Sequence, residues 1–316
     1  MTLKTLAHSA PLRLVWTLLL FLGVNVALDR LHVAVVTRPA TSTDWIYRNA
    51  AVALFVLWLS VRVLEGRRLR DVGLGLRGAP RDILGGFLVG AAAVTIIVGV
   101  LAALGAYRIE GLLTVPNATT RTALFARAVI ALAFVALSEE IKTRGILFRL
   151  LEQSLGTWIA IALSALGFGF VHWTNPGATL WGSLAIALEG GVLLAALYAA
   201  TRSLWLPIGV HWGWNLFEGP VWGTLVSGNS VAILSRAHLS GPAVLTGGQF
   251  GPEAGLPALC VGAALGLGAV VWMVRRGATV APPWMAHRQG GLAAARQWPP
   301  NSTALVGNGD SPGESR

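Results

Sequence analysis

Long apolar stretches alternate with short polar loops along most of the chain, and the lengths of those stretches decide what they form. Apolar runs near residues 12–28, 49–64, 83–106, 123–141, 157–173, 178–199, 204–218 and 256–274 approach or reach the roughly 17 to 25 residues that a helix needs to cross a bilayer. Backbone polar groups in lipid must be satisfied within the segment, so such runs are helical. The pattern predicts an all-α polytopic membrane helix bundle with about eight transmembrane helices. The runs at 49–64 and 204–218 are short for a span. Lys4 precedes the first run, as in a signal sequence, but no small-residue cleavage site follows, so the run reads as a retained first helix.

Composition agrees with this pattern. Of 316 residues, 54% are hydrophobic and only 12% are charged, against about a quarter charged in a soluble domain. Lipid is therefore the first partner. The net charge of +10 raises nucleic acid as a partner, but the arginines lie in short loops and in a polar tail, with no basic stripe, so nucleic acid is not expected. Topology accounts for the charge instead. Arg67, Arg68, Arg70, Arg77 and Arg81 follow the second run, and the positive-inside rule places them, and both termini, in the cytoplasm. Alternating the spans puts Arg149, Arg202, Arg275 and Arg276 inside, with residues 107–121 and 219–255 outside. The expected location is a bacterial plasma membrane. Cys260 is the single cysteine, which excludes a disulfide framework or a cysteine metal cluster.

Four regions follow from the pattern: residues 1–121 with the first helices and the basic loop, a helical core at 122–220, an outer loop and last helix at 221–276, and a tail at 277–316. The tail is rich in Gly, Pro, Ala and polar residues and is expected to be a disordered cytoplasmic segment.

Candidate chemistry is concentrated in the core. The stretch ALAFVALSEEIKTRGILFRLLE places Glu139 and Glu140 after an apolar run, with Arg144 four residues beyond Glu140, a spacing that lets one carboxylate pair with the guanidinium on a helix. Glu139 then points about 100° away. Ionisable groups at membrane depth usually face a bundle interior and serve function; a solvated helix end carrying Glu139, Glu140, Lys142 and Arg144 is an equally good reading of this stretch alone. In ALGFGFVHWTNPG, Phe168 and His172 share a helix face just before a turn, and such a histidine is by itself more often interfacial than catalytic. In SLWLPIGVHWGWNLFEG, His211 and Asn215 lie one helical turn apart, as a catalytic pair or as an interhelical hydrogen-bonding pair. Together these residues supply a base, two imidazoles and an amide donor, the inventory for activating water and stabilising a tetrahedral oxyanion.

With these motifs in order (EExxxR, FxxxH, HxxxN), the chain resembles the CPBP family of intramembrane proteases, which includes the CAAX prenyl endopeptidases. The resemblance covers about residues 122–220, and GPVWGTLVSG and LTGGQFGPEAG extend a weaker likeness to a bacterial subgroup. It implies an intramembrane endopeptidase acting on membrane-associated or lipidated proteins or peptides. Glu139 would activate water, His172 would position it, His211 and Asn215 would stabilise the oxyanion, and Glu140 with Arg144 would be an orienting pair. A divalent metal such as zinc would have to be gathered by Glu139, His172 and His211 from separate helices, since there is no HExxH helix. A metal-free, glutamate-activated water requires fewer assumptions and is preferred. The alternatives are a non-catalytic membrane scaffold or immunity protein and a proton- or cation-coupled transporter.

Two positions depart from the family pattern. Lys142 and Thr143 stand where apolar residues are usual, which would put a cation beside the carboxylates. Glu189 is an extra carboxylate in mid-span; pairing with a cation, lining the cavity and a separate function are all open to it. Glu218 and Glu253 are expected at the outer surface, solvated or at helix ends. Strict alternation also separates Glu139 from His172, and a fourth helix continuing through Leu151 would bring them to one level.

Overall fold

A computed structural model of the chain describes residues 9–35, 42–112, 116–231 and 233–286. Helices dominate: α1 (Ala10–Val35), α2 (Ser42–Leu59), α3 (Ala79–Ala103), α4 (Ala118–Leu155), α5 (Thr157–Val171), α6 (Leu180–Thr201), α7 (Trp205–Leu216) and α8 (Leu256–Arg275). The protein is an integral membrane protein, and its described residues form seven helices long and apolar enough to cross a membrane. The run at 204–218 is the exception among the expected spans, because α7 continues only through a wide turn, Phe217–Val221, containing Pro220.

Successive helices run antiparallel, and the basic loops expected on one side do gather at one end. Leu204 N donates to Gly73 O at 2.9 Å, and Tyr198 Oη donates to Val72 O at 3.1 Å. Arg149 forms a two-bond fork to Glu65 at 2.6 and 2.7 Å. Arg202 pairs with Glu152 and also donates to Ala278 O at 2.8 Å. Beneath them Leu57, Phe148, Tyr198 and Leu204 form the centre of the largest apolar cluster. The Arg149 fork is tolerated at this depth because Nε also donates, to Gly145 O at 2.8 Å, so all three of its nitrogens are engaged.

The first residues of the expected tail are part of this end. Thr157 N donates to Val280 O at 3.0 Å and Val280 N donates to Thr157 Oγ1 at 2.7 Å, followed by a short helix, Pro283–Ala286. Residues 278–286 are thus held by backbone bonds that composition does not reveal. The rest of the expected disordered tail, from residue 287, lies outside the described residues.

The opposite end holds features absent from the helical reading: β1 (Tyr107–Leu112) pairs antiparallel with β4 (Ser235–Leu239), and β2 (Leu225–Val226) with β3 (Asn229–Ser230). These ribbons lie outside the membrane-length helices, where loops can satisfy their backbone by pairing.

Two features of packing set the site. First, α4 is one helix of 38 residues, so it extends past Leu151 as expected, and only Gly156, at φ 79°, separates it from α5. Glu139 lies 16 residues before Leu155 and His172 lies 15 residues after Thr157. At 1.5 Å per residue these are about 24 and 22 Å from the turn, so an antiparallel hairpin brings them level. Second, α3 and α7 meet through paired glycines. A Cβ at Gly90 would sit 2.1 Å from Val210 O, and one at Gly213 would sit 2.2 Å from Phe87 O. Small residues spaced by four let two membrane helices approach to backbone contact.

Candidate active site

The carboxylates stand where α4 changes its winding. The helix is regular through Glu140 and then widens into π turns over Ile141–Phe148, a feature often found at functional sites. Glu140 and Arg144 are fully buried. Arg144 Nη1 donates to Glu140 Oε1 at 2.9 Å and to Thr143 Oγ1 at 2.8 Å. Its Nη2 donates to the carbonyls of Gly191 and Gly190 at 3.0 and 3.3 Å, which belong to a second π turn, Ala187–Gly191, in α6. The guanidinium lies 4.5 Å from the centre of the Phe168 ring. Arg144 therefore ties α4, α5 and α6 together and holds Glu140 in one orientation.

Glu140 passes that orientation to α7. His211 Nδ1 lies 3.0 Å from Glu140 Oε1, so the ring donates from Nδ1 and presents Nε2 to the opposite side. His172 is fixed in the same way by a backbone acceptor: its Nδ1 lies 2.7 Å from Phe168 O, which also leaves Nε2 as the outward nitrogen. Phe168 sits between the two imidazoles, with ring centres 5.0 Å from His172 and 5.8 Å from His211. The expected shared face of Phe168 and His172 is present.

Both Nε2 atoms face Glu139. Glu139 Oε2 is 3.8 Å from His211 Nε2 and 4.0 Å from His172 Nε2, and it has no hydrogen-bond partner among the described residues. Separations of this size are too long for direct hydrogen bonds and suit a bridging water. The three groups line a cavity of about 570 Å³, shared with Asn215, Glu189, Trp214 and Phe168. Loop residues Asn175, Ser227 and Glu253 close it from the end opposite the basic loops. Asn175 Nδ2 donates to Ser227 O at 3.0 Å.

The three groups fit a zinc ion poorly. Tetrahedral coordination with ligands at about 2.0–2.1 Å requires donor separations near 3.4 Å, below the 3.8 and 4.0 Å found here. Among the described residues no group of three His, Cys, Asp or Glu side chains is arranged to hold a metal ion.

Lys142 lies close enough to act electrostatically on Glu139, as expected, while its Nζ lies 5.9 Å from the centre of the Phe21 ring on α1. Thr143 faces inward, donating to Glu139 O at 2.6 Å while accepting from Arg144; a polar residue at an apolar position was the available signal for it. Glu218 and Glu253 are not solvated at an outer surface but buried, at 2% and 7% exposure, because the loop between α7 and α8 folds back over the helix ends.

Comparison with known proteins adds one finding to this geometry. Residues 121–217 match the family described as type II CAAX prenyl endopeptidase, Rce1-like. That stretch contains Glu139, Glu140, Arg144, His172, His211 and Asn215, and it stops short of the weaker likeness expected beyond residue 220. No curated protein and no solved structure matches the chain.

Proposed function

We propose, from the match of its helical core to this protease family, that the protein is an intramembrane endopeptidase that cleaves membrane-anchored or lipidated proteins or peptides with a water activated by Glu139. The observation that carries the reading is the convergence of Glu139 Oε2 and two imidazole Nε2 atoms on one cavity inside the helix bundle. A water held there is hydrogen-bonded on three sides. Glu139 takes one of its protons as the water oxygen bonds to the scissile carbonyl carbon. Negative charge then develops on the carbonyl oxygen, and its donors are Asn215 and the Nε2–H of His211, whose ring is the imidazolium with its Nδ1–H held by Glu140. The proton on Glu139 passes to the amide nitrogen as the C–N bond breaks, which restores the carboxylate. His172 positions the water, and Glu140 with Arg144 orients His211. No step requires a metal.

Proteolysis of a library of membrane-anchored peptides by the purified protein in liposomes tests this. Cleavage lost in Glu139→Ala, His172→Ala and His211→Ala is the expected result. A well-folded wild-type protein that cleaves nothing across the library would overturn it and favour a scaffold.

A further inference from the structure

The cavity holds more carboxylates than water activation uses. Three carboxylates line it, Glu139, Glu189 and Glu253, and no lysine or arginine does. Glu139 has the two imidazoles for company. Glu189 has none: it is 2% exposed, and its Oε2 has no hydrogen-bond partner among the described residues. The ionisable group acting on it is another carboxylate, Glu253. Glu253 accepts from Ser227 N at 2.7 Å and Ser227 Oγ at 2.6 Å through a single oxygen, Oε2.

An unpaired carboxylate inside a membrane bundle is costly and is retained where it meets a partner. The position of Glu189 is also confined by a neighbouring helix. A Cβ at Gly262 would come within 2.2 Å of Glu189 Cβ, so α8 packs directly against the base of this side chain, which lines the cavity. Its partner is therefore to be sought in what enters the cavity.

Building on the protease reading, we infer that Glu189 and Glu253 form a subsite for a basic side chain, lysine or arginine, of the substrate beside the scissile bond. A bundle cavity with three carboxylates and no lining lysine or arginine offers charge-assisted acceptors to a cationic side chain that enters it. Its volume of about 570 Å³ accommodates a long side chain along with the scissile peptide. The apolar wall formed by Ile186, Leu193 and Leu194 suits the aliphatic stem that carries such a charge.

Paired membrane-anchored peptides, identical except for lysine or norleucine at one position walked across the cut, provide the test. Wild-type protein in liposomes is expected to show kcat/KM about 10- to 100-fold higher for the lysine peptide at one register. In Glu189→Gln that ratio falls towards about one. Equal cleavage of every pair by the wild type, or an unchanged ratio in Glu189→Gln, overturns the subsite while leaving the protease standing. If no peptide is cleaved, the protease reading fails and binding decides the subsite. Fluorescence anisotropy of labelled peptides on the detergent-solubilised Glu139→Gln protein must then show tighter binding of the lysine peptide, lost on adding Glu189→Gln. Equal binding overturns the subsite, as does a thermal stabilisation by Ca2+ that disappears in Glu189→Gln, since the carboxylates would then serve a metal.

Discussion

His211 Nδ1 lies 3.0 Å from Glu140 Oε1, and that one contact fixes which ring nitrogen faces the cavity. In the proposed mechanism the carboxylate next to the base is thus an orienting group and not a second base. It sets the tautomer and aim of an imidazole on another helix, while Arg144 holds the carboxylate itself. Glu140→Gln keeps the shape but can present its amide nitrogen to the ring. The expected loss in kcat is about 10²- to 10⁴-fold, by analogy with other carboxylate–histidine pairs, with KM little changed. A loss confined to KM would assign Glu140 to substrate binding instead.

Glu139→Gln removes the proposed base without changing the cavity's shape. Peptide hydrolysis should fall by about 10²- to 10⁴-fold, while a labelled substrate still binds, as measured by anisotropy on the purified variant. Retained hydrolysis would place the base elsewhere.

Arg144 and Glu140 are both fully buried, so removing one partner leaves an uncompensated group. Arg144→Met is expected to cost about 3–5 kcal/mol, read by reversible unfolding in detergent. The double variant Arg144→Met with Glu140→Gln should cost less than the sum of the two single changes. Additive losses would show that the pair is not coupled.

The α3–α7 contact predicts opposite outcomes for the same substitution on one helix. At Gly90 an added Cβ would meet Val210 O at 2.1 Å, whereas at Gly99 it would meet nothing within 4 Å. Gly90→Ala should destabilise by about 1–3 kcal/mol and lower activity by moving His211 and Asn215. Gly99→Ala should leave both intact. Equal thermal stability of the two variants would argue that these helices are not in backbone contact.

Chelation and labelling test metal use and orientation. Activity should survive extensive dialysis against a chelator, because the donor separations of 3.8 and 4.0 Å are too wide for zinc; its loss and recovery with added zinc would reverse that conclusion. In a Cys260→Ala background, a cysteine at Leu76, which is 78% exposed in the basic loop, should react only from the cytoplasm. A cysteine at Ser240, exposed at the opposite end, should react only from outside. The reverse pattern would invert the orientation.

How much of this was legible beforehand differs from residue to residue. Apolar run length determines that the chain forms membrane helices, since the cost of unsatisfied backbone in lipid leaves no other choice. Loop arginines indicated which ends gather together, and residue type with helical spacing marked Glu139, Glu140, Arg144, His172, His211 and Asn215 as one chemical inventory. A helical spacing states which side chains share a face; it does not state which faces of different helices meet. The pairing of Glu140 with His211, the turn of Lys142 toward Phe21 and the burial of Glu218 and Glu253 all depend on helix rotation and on a loop folding back. Those are decided by close contact between residues far apart in the chain, such as Gly90 against Val210 and Gly262 against Glu189. A missing side chain on one helix has meaning only beside the backbone it admits, so the sequence by itself named the chemistry of the site and only tertiary packing assembled it.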